Sequence, residues 1–154
     1  MMFNENILSK LKKYLDRINY HLLLTIVLGE EIYFVNPLPD FQLVKQNILK
    51  LPKYYQSIVK FFLLGEPIPE SVLFAELDHE LIRYLCKCGI TNQNGNSFCL
   101  NNFCLTSYCN CYLLVSNVYY YPTCRSNMQK PYIGIDSYWL SRIIVNRLNG
   151  RVLD

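Results

Sequence analysis

The sequence predicts an α+β chain: a helical N-terminal extension, a winged-helix-like domain of three short helices and a β-hairpin, and a linker helix that runs into the first residues of another strand. Three observations carry that expectation. Apolar residues recur every three or four positions along most of the first 88 residues. After Gly89 this period gives way to short β-rich runs around Asn94-Gly95, a pair that strongly favours a hairpin turn. Near the end, an amphipathic stripe stops at Asn149-Gly150, and Arg151, Val152, Leu153 and Asp154 then read as the opening of a strand.

Composition limits the function classes. With 51% apolar and 18% charged residues, the chain can fill a packed core and has no case for disorder. A net charge of +3 permits an acidic partner without demanding one. The 13 tyrosines suit half-buried positions, where an amphipathic ring keeps one end wet. The apolar run at 22–27 is too short to span a bilayer, so no membrane partner is expected. The first residues include Glu5 and lack the basic start and cleavage site of a signal peptide. A cytoplasmic location follows as the expectation, with Cys86, Cys88, Cys99, Cys104, Cys109, Cys111 and Cys124 as free thiols that pack as small hydrophobes.

Taken in order, Asn4 can cap a first helix carrying Ile7, Leu8, Leu11, Leu15, Ile18 and Leu22, running on towards Leu28 with Gly29 as its stop. Lys10, Lys12, Lys13 and Arg17 fall mostly off that stripe and read as a solvated face. Residues 32–35 are rich in β-formers, and Pro37 and Pro39 then break the chain. Residues 1–40 are thus expected to be an extension packed on the domain that comes after it.

Asp40 can cap a helix with Phe41, Val44, Ile48 and Leu49, interrupted at Pro52. Residues 53–64 place Tyr55, Ile58, Val59, Phe62 and Leu63 on a face broad enough for a central buried helix, ended by Gly65. Pro69 suits the first position of a short helix over 70–77. Asp78 then caps a third helix, with Leu81, Ile82, Leu85 and Cys86 on its apolar face and Gly89 at its end. Strands are expected at 97–105 and 111–116, with a turn over 106–110. Residues 41–117 form the winged-helix-like domain in this reading. Residues 118–154 are a connector followed by a linker helix, capped by Asp136 and carrying Trp139, Leu140, Ile143, Ile144 and Leu148.

Candidate chemistry is sparse. Cys86-Lys87-Cys88 and Cys109-Asn110-Cys111 are CxC pairs, whereas structural zinc sites favour two to four intervening residues. At about 100° per residue, Cys86 and Cys88 would diverge on a helix by roughly 200°. No metal site is expected. His21 and His79 are not placed beside a cysteine by anything in the sequence, so a Cys–His nucleophile is not expected either. The glycines are scattered and form no phosphate-cradling loop. A groove-reading helix at 78–88 would bring only Arg83 and Lys87, and the wing at 92–97 has no basic residue, so independent DNA recognition has little charge behind it.

The order of motifs resembles a known family. Phe61-Phe62-Leu63-Leu64-Gly65-Glu66-Pro67-Ile68, the segment from Leu85 to Ile90, Tyr112-Leu113-Leu114-Val115-Ser116-Asn117, and Tyr132-Ile133-Gly134-Ile135-Asp136-Ser137-Tyr138-Trp139-Leu140 follow one another as in the N-terminal domain of certain class I S-adenosylmethionine-dependent methyltransferases of the small-domain type. Gly150-Arg151-Val152-Leu153-Asp154 is similar to the first half of that family's "vLDlGtGsG" cofactor motif. The resemblance covers residues 53–154, and Asn117 departs from it where the family has Asp. It implies a winged-helix-like accessory domain leading into a missing Rossmann-like catalytic domain, whose glycine turn would hold the cofactor. On this resemblance the chain is the N-terminal portion of a methyltransferase, truncated at the start of the cofactor motif and inactive by itself. Asp154, Tyr132, Gly134 and Asp136 are its cofactor-side residues, and no catalytic residue is assigned. S-adenosylmethionine is expected for the full-length parent and not for this chain alone. The expected partners are the missing catalytic domain and an RNA or protein substrate. The alternative is a stand-alone winged-helix module that binds nucleic acid or protein. Trp139, at helical spacing from Ile143, reads as a core anchor rather than a site residue.

Overall fold

The computed structural model describes residues 5–29, 41–108 and 111–116. Helix α1 spans Glu5–Arg17 and α2 spans Tyr20–Leu28, so the helix expected to run unbroken to Leu28 is in fact two. The break falls at Asn19, which adopts the left-handed conformation (φ 51°, ψ 49°). Asparagine tolerates that region better than other residues with a Cβ, and periodicity alone does not reveal the kink. The turn aims Tyr20 inward, where it is fully buried. Its hydroxyl donates to the Leu105 carbonyl at 3.0 Å, and its ring meets Phe62 edge-on at 5.9 Å. Gly29 closes α2 as expected, with φ 91° and its N–H on the Thr25 carbonyl.

Helix α3, Phe41–Leu49, buries Val44 and Ile48. After Pro52, α4 spans Lys53–Val59 and then widens into a π-helical turn at Lys60–Leu64. Phe61, Phe62, Leu63 and Leu64 are all buried. Four consecutive residues sweep most of a helix circumference, so this segment is enclosed on every side, as the breadth of its apolar face implied. Gly65 ends it at φ 68°.

Strand β1 is the two-residue Ile68–Pro69, pairing antiparallel with β3. Pro69 therefore stands one position before α5 (Glu70–Glu76), not at its first helical residue. With no N–H to donate, proline fits the end of a short edge strand, while the Glu70 N–H bonds the Asn96 carbonyl at 2.8 Å. Asp78 caps α6 (His79–Lys87), accepting the Glu80 N–H at 2.8 Å. The hairpin forms as expected: β2 (Thr91–Asn94) and β3 (Ser97–Leu100) flank Gly95 at φ 58°.

The strand expected over 97–105 is divided. Asn102 is left-handed (φ 57°), and beyond it β4 (Phe103–Tyr108) pairs with β5 (Cys111–Ser116). Residues 106–108, expected in a turn, extend β4, with Thr106 and Ser107 buried. The architecture is α+β: among the described residues, six α-helices pack with two small antiparallel sheets, ordered β1-β3-β2 and β4-β5. A single core cluster links Ile7, Leu15 and Tyr20 to Phe61, Leu85 and Leu105. No helix among the described residues is long and apolar enough to cross a membrane.

Candidate functional site

The residues expected near a cofactor, Tyr132, Gly134, Asp136 and Asp154, lie outside the described residues, as do Asn117 and Trp139. What the described chain builds is an open groove of about 750 Å³ between α1, the end of α6 and the β4–β5 hairpin. That volume falls within the roughly 300–1,000 Å³ usual for ligand pockets.

Each wall follows from local periodicity. On α1, Leu8, Leu11 and Leu15 recur at helical spacing and face the groove. On β4, Phe103 and Leu105 alternate onto it, and on β5 so do Tyr112 and Leu114. The register sets Leu105 directly opposite Leu114. Phe62 from the π turn, with Leu85 and Ile90 around the end of α6, completes the lining.

The rim is polar where α1 meets β5. Lys12 Nζ lies 2.6 Å from Asp16 Oδ2, and the Tyr112 hydroxyl donates to Asp16 Oδ1 at 2.9 Å. Lys12 also stands 5.9 Å from the centre of the Tyr112 ring. The Lys12 hydrogen bond, and after it the Tyr112 one, hold the Asp16 carboxyl below the usual carboxylate range. Burial, and then the bond to Asp16, push the Tyr112 hydroxyl well above a phenol's ordinary value. Tyr112 is thus a neutral donor at physiological pH that orients Asp16.

A second clasp joins α1 to α6. Lys10 Nζ reaches Glu80 at 2.6 Å and Asp78 at 3.4 Å, so the two acids at the start of α6 engage a lysine from the face expected to be solvated. The Glu80 and Asp78 hydrogen bonds raise the Lys10 ammonium, and the Glu80 backbone N–H is the chief cause of the lowered Asp78 carboxyl. All three groups are about half exposed or more, so the clasp orients the helices rather than adding much stability.

Cys86 turns to the Thr91 hydroxyl at 3.0 Å, while Cys88 lines the groove. Among the described residues no three His, Cys, Asp or Glu side chains cluster to hold a metal ion. His79 stacks on Phe74, with ring centres 3.8 Å apart. Sequence reasoning assigned Leu8 and Leu11 to a helix stripe and missed that they face a groove. It also missed the Lys12–Asp16–Tyr112 rim. The i,i+4 spacing of Lys12 and Asp16 was the available signal for the ion pair, whereas Tyr112 arrives from 96 residues away. No protein-family model matches the chain, and no curated protein matches it.

Proposed function

We propose that this chain is the accessory, substrate-positioning portion of an S-adenosylmethionine-dependent methyltransferase, and that its groove docks the catalytic domain or the methyl acceptor. The observation that carries the reading is convergence. Three of the segments that resemble the methyltransferase N-terminal domain are separated in sequence, yet each contributes to the groove: Phe62 from the first, Leu85, Cys88 and Ile90 from the second, Tyr112 and Leu114 from the third. A shared surface is a physical reason for such segments to occur together. The order α6, β2, β3 is compatible with a winged-helix-like arrangement, and an RNA or protein acceptor fits a groove with an apolar floor and a polar rim. Cys86, Cys88, Cys99, Cys104 and Cys111 are free thiols, which suits a reducing cytoplasm.

In this reading S-adenosylmethionine is bound by the full-length parent, and residues 1–154 bind none by themselves. Titration calorimetry tests this directly, and micromolar binding by residues 1–154 would overturn it. The parent assignment is tested on the gene. A reading frame that continues past Asp154 into a Gly-x-Gly-x-Gly stretch supports it, and a stop codon with no catalytic partner encoded nearby removes it. Binding to duplex DNA with a steep salt dependence would instead favour a stand-alone nucleic-acid module.

A further inference from the structure

Helix α1 carries two apolar stripes. Ile7, Tyr14 and Leu15 are buried in the core. Leu8 and Leu11 are only half-buried and stand with Leu15 on the groove wall, so positions 8, 11 and 15 repeat at the alternating spacing of a coiled-coil seam. In that repeat Glu5 and Lys12 hold the same flanking position one heptad apart, and both line the groove. A helix rise of about 10 Å between them sets an acid at one end and a base towards the other. The facing wall is apolar and half-buried too, with Ile90 after α6, Phe103 on β4 and Leu114 on β5.

We propose that the groove receives one apolar ridge of an amphipathic α-helix from a protein partner, with a basic side chain over Glu5 and an acidic one towards Lys12. Size limits the occupant. From Glu5 to Leu15 α1 rises about 15 Å. The groove of about 750 Å³ divided over that length has a cross-section of roughly 50 Å². A helix with its side chains is about 10–12 Å across, which is roughly 80–110 Å². The groove therefore takes the side chains of one helix face and leaves the opposite face in water. Such docking is read by apolar anchors that recur every three or four residues.

Charge selects protein over RNA. Among the described residues Lys12 is the one cation that lines the groove, and its ammonium already lies 2.6 Å from Asp16. A nucleic-acid strand draws its affinity from neutralised phosphates, and Glu5 opposes it at the other end. A helix carrying opposite charges two turns apart satisfies both ends. An ammonium has several donors, so Lys12 can serve a partner carboxylate while keeping Asp16. Flanking charges of this kind set partner choice and direction, whereas affinity comes from the apolar contacts. The inference rests on the docking role proposed for the groove and narrows its occupant. It makes no use of the cofactor motif.

The test uses the intact chain and a fluorescein-labelled, lactam-stapled helical peptide of about four turns. The peptide has apolar residues at i, i+3, i+4 and i+7, a lysine at one end and a glutamate two turns on. Fluorescence anisotropy is expected to show saturable micromolar binding, with no comparable binding of a labelled single-stranded RNA. Leu8→Asp should weaken the peptide roughly tenfold or more, the scale of one lost leucine contact. Should that variant lose cooperative unfolding, Ser9→Arg replaces it, since Ser9 is exposed on the groove rim and the longer side chain obstructs the ridge. Glu5→Lys should weaken the peptide by about twofold to fivefold, and a peptide with its lysine changed to glutamate should recover that loss. Absence of peptide binding overturns the proposal, as does binding that Leu8→Asp and Ser9→Arg both leave unchanged. A Glu5→Lys loss that the altered peptide does not recover overturns the charge pairing. RNA binding that Ser9→Arg abolishes would assign the groove to nucleic acid instead. The gene test of the methyltransferase reading is separate: its failure leaves these outcomes in place, and a failed peptide test leaves the reading frame to be judged by itself.

Discussion

The two sheets are built from similar strands and held in different ways. The three-stranded sheet β1-β3-β2 centres on a tight hairpin closed by Gly95, with its two-residue edge strand lying directly before α5. The two-stranded sheet β4–β5 depends on distant residues. Tyr20 reaches the Leu105 carbonyl across 85 positions, and Tyr112 reaches Asp16 across 96. An isolated two-stranded hairpin is marginal in water. The difference teaches that the groove, whose one wall is β4–β5, is only as well formed as the packing of α1, α2 and the π turn behind it.

The largest way to break this asymmetry is Tyr20→Ala. Deleting a fully buried aromatic costs about 3–5 kcal/mol, which urea unfolding would measure. Where the fold survives, hydrogen exchange should show β4–β5 losing protection ahead of β2–β3. Equal loss in both sheets would mean that the hairpin does not depend on α2 in particular.

A matched pair of turn substitutions separates the sheets from the other direction. Gly95→Ala places a Cβ at φ 58° in open space, so its cost of roughly 1–2 kcal/mol is backbone strain alone. It should loosen β2–β3 and spare the groove. Asn102→Ala at φ 57° should cost less than that, since asparagine already bears part of the strain, and it should loosen β4–β5 instead. Exchange rates at the two hairpins distinguish these outcomes.

Acid should act on both regions through their clasps. The folded-state values of Asp16 and Asp78 are lowered, so each contributes stability that is present above the unfolded carboxylate value of about 4 and lost as pH falls through the folded one. Lys10 is raised, so its contribution persists below about 10.4 and fades only above that. Thermal midpoints should therefore be flat from neutral pH down to about 5 and fall below 4. Asp16→Asn should reduce the acid slope at the β5 side and Asp78→Asn at the α6 side.

The smallest expected effect is at Tyr14. Its hydroxyl is buried without a well-formed hydrogen bond, although Tyr54 is close enough to raise its ionisation further after burial itself. Tyr14→Phe removes a desolvated polar group and leaves no strong partner orphaned, so thermal unfolding should show no loss or a gain within about 1 kcal/mol. A clear destabilisation would show that the contact with Tyr54 is a working hydrogen bond.

Much of the fold was legible because it is local. Gly29, Gly65 and Gly89 end their helices, Asp78 caps α6, and Asn94-Gly95 turns a hairpin, each through chemistry confined to a few neighbouring residues. The breadth of the 53–64 apolar face announced a central segment for the same reason. The misreadings share a cause. Asn19 and Asn102 take the left-handed region, which the spacing of apolar residues does not register, and each splits one expected element into two. Pro69 joined an edge strand because its partner β3 arrives from thirty residues further on.

The sequence by itself determined the α+β class, the helix ends at Gly29, Gly65 and Gly89, and the hairpin at Asn94-Gly95, because propensity, capping and turn geometry act over less than two turns of chain. Only the tertiary structure decided that Leu8 and Leu11 face a groove, that Lys10 holds the acids of α6, and that Tyr112 orients Asp16. Those contacts join residues 68 to 96 positions apart. No local rule carries the direction in which a helix kinked at Asn19 presents its faces to a strand that starts beyond Asn102.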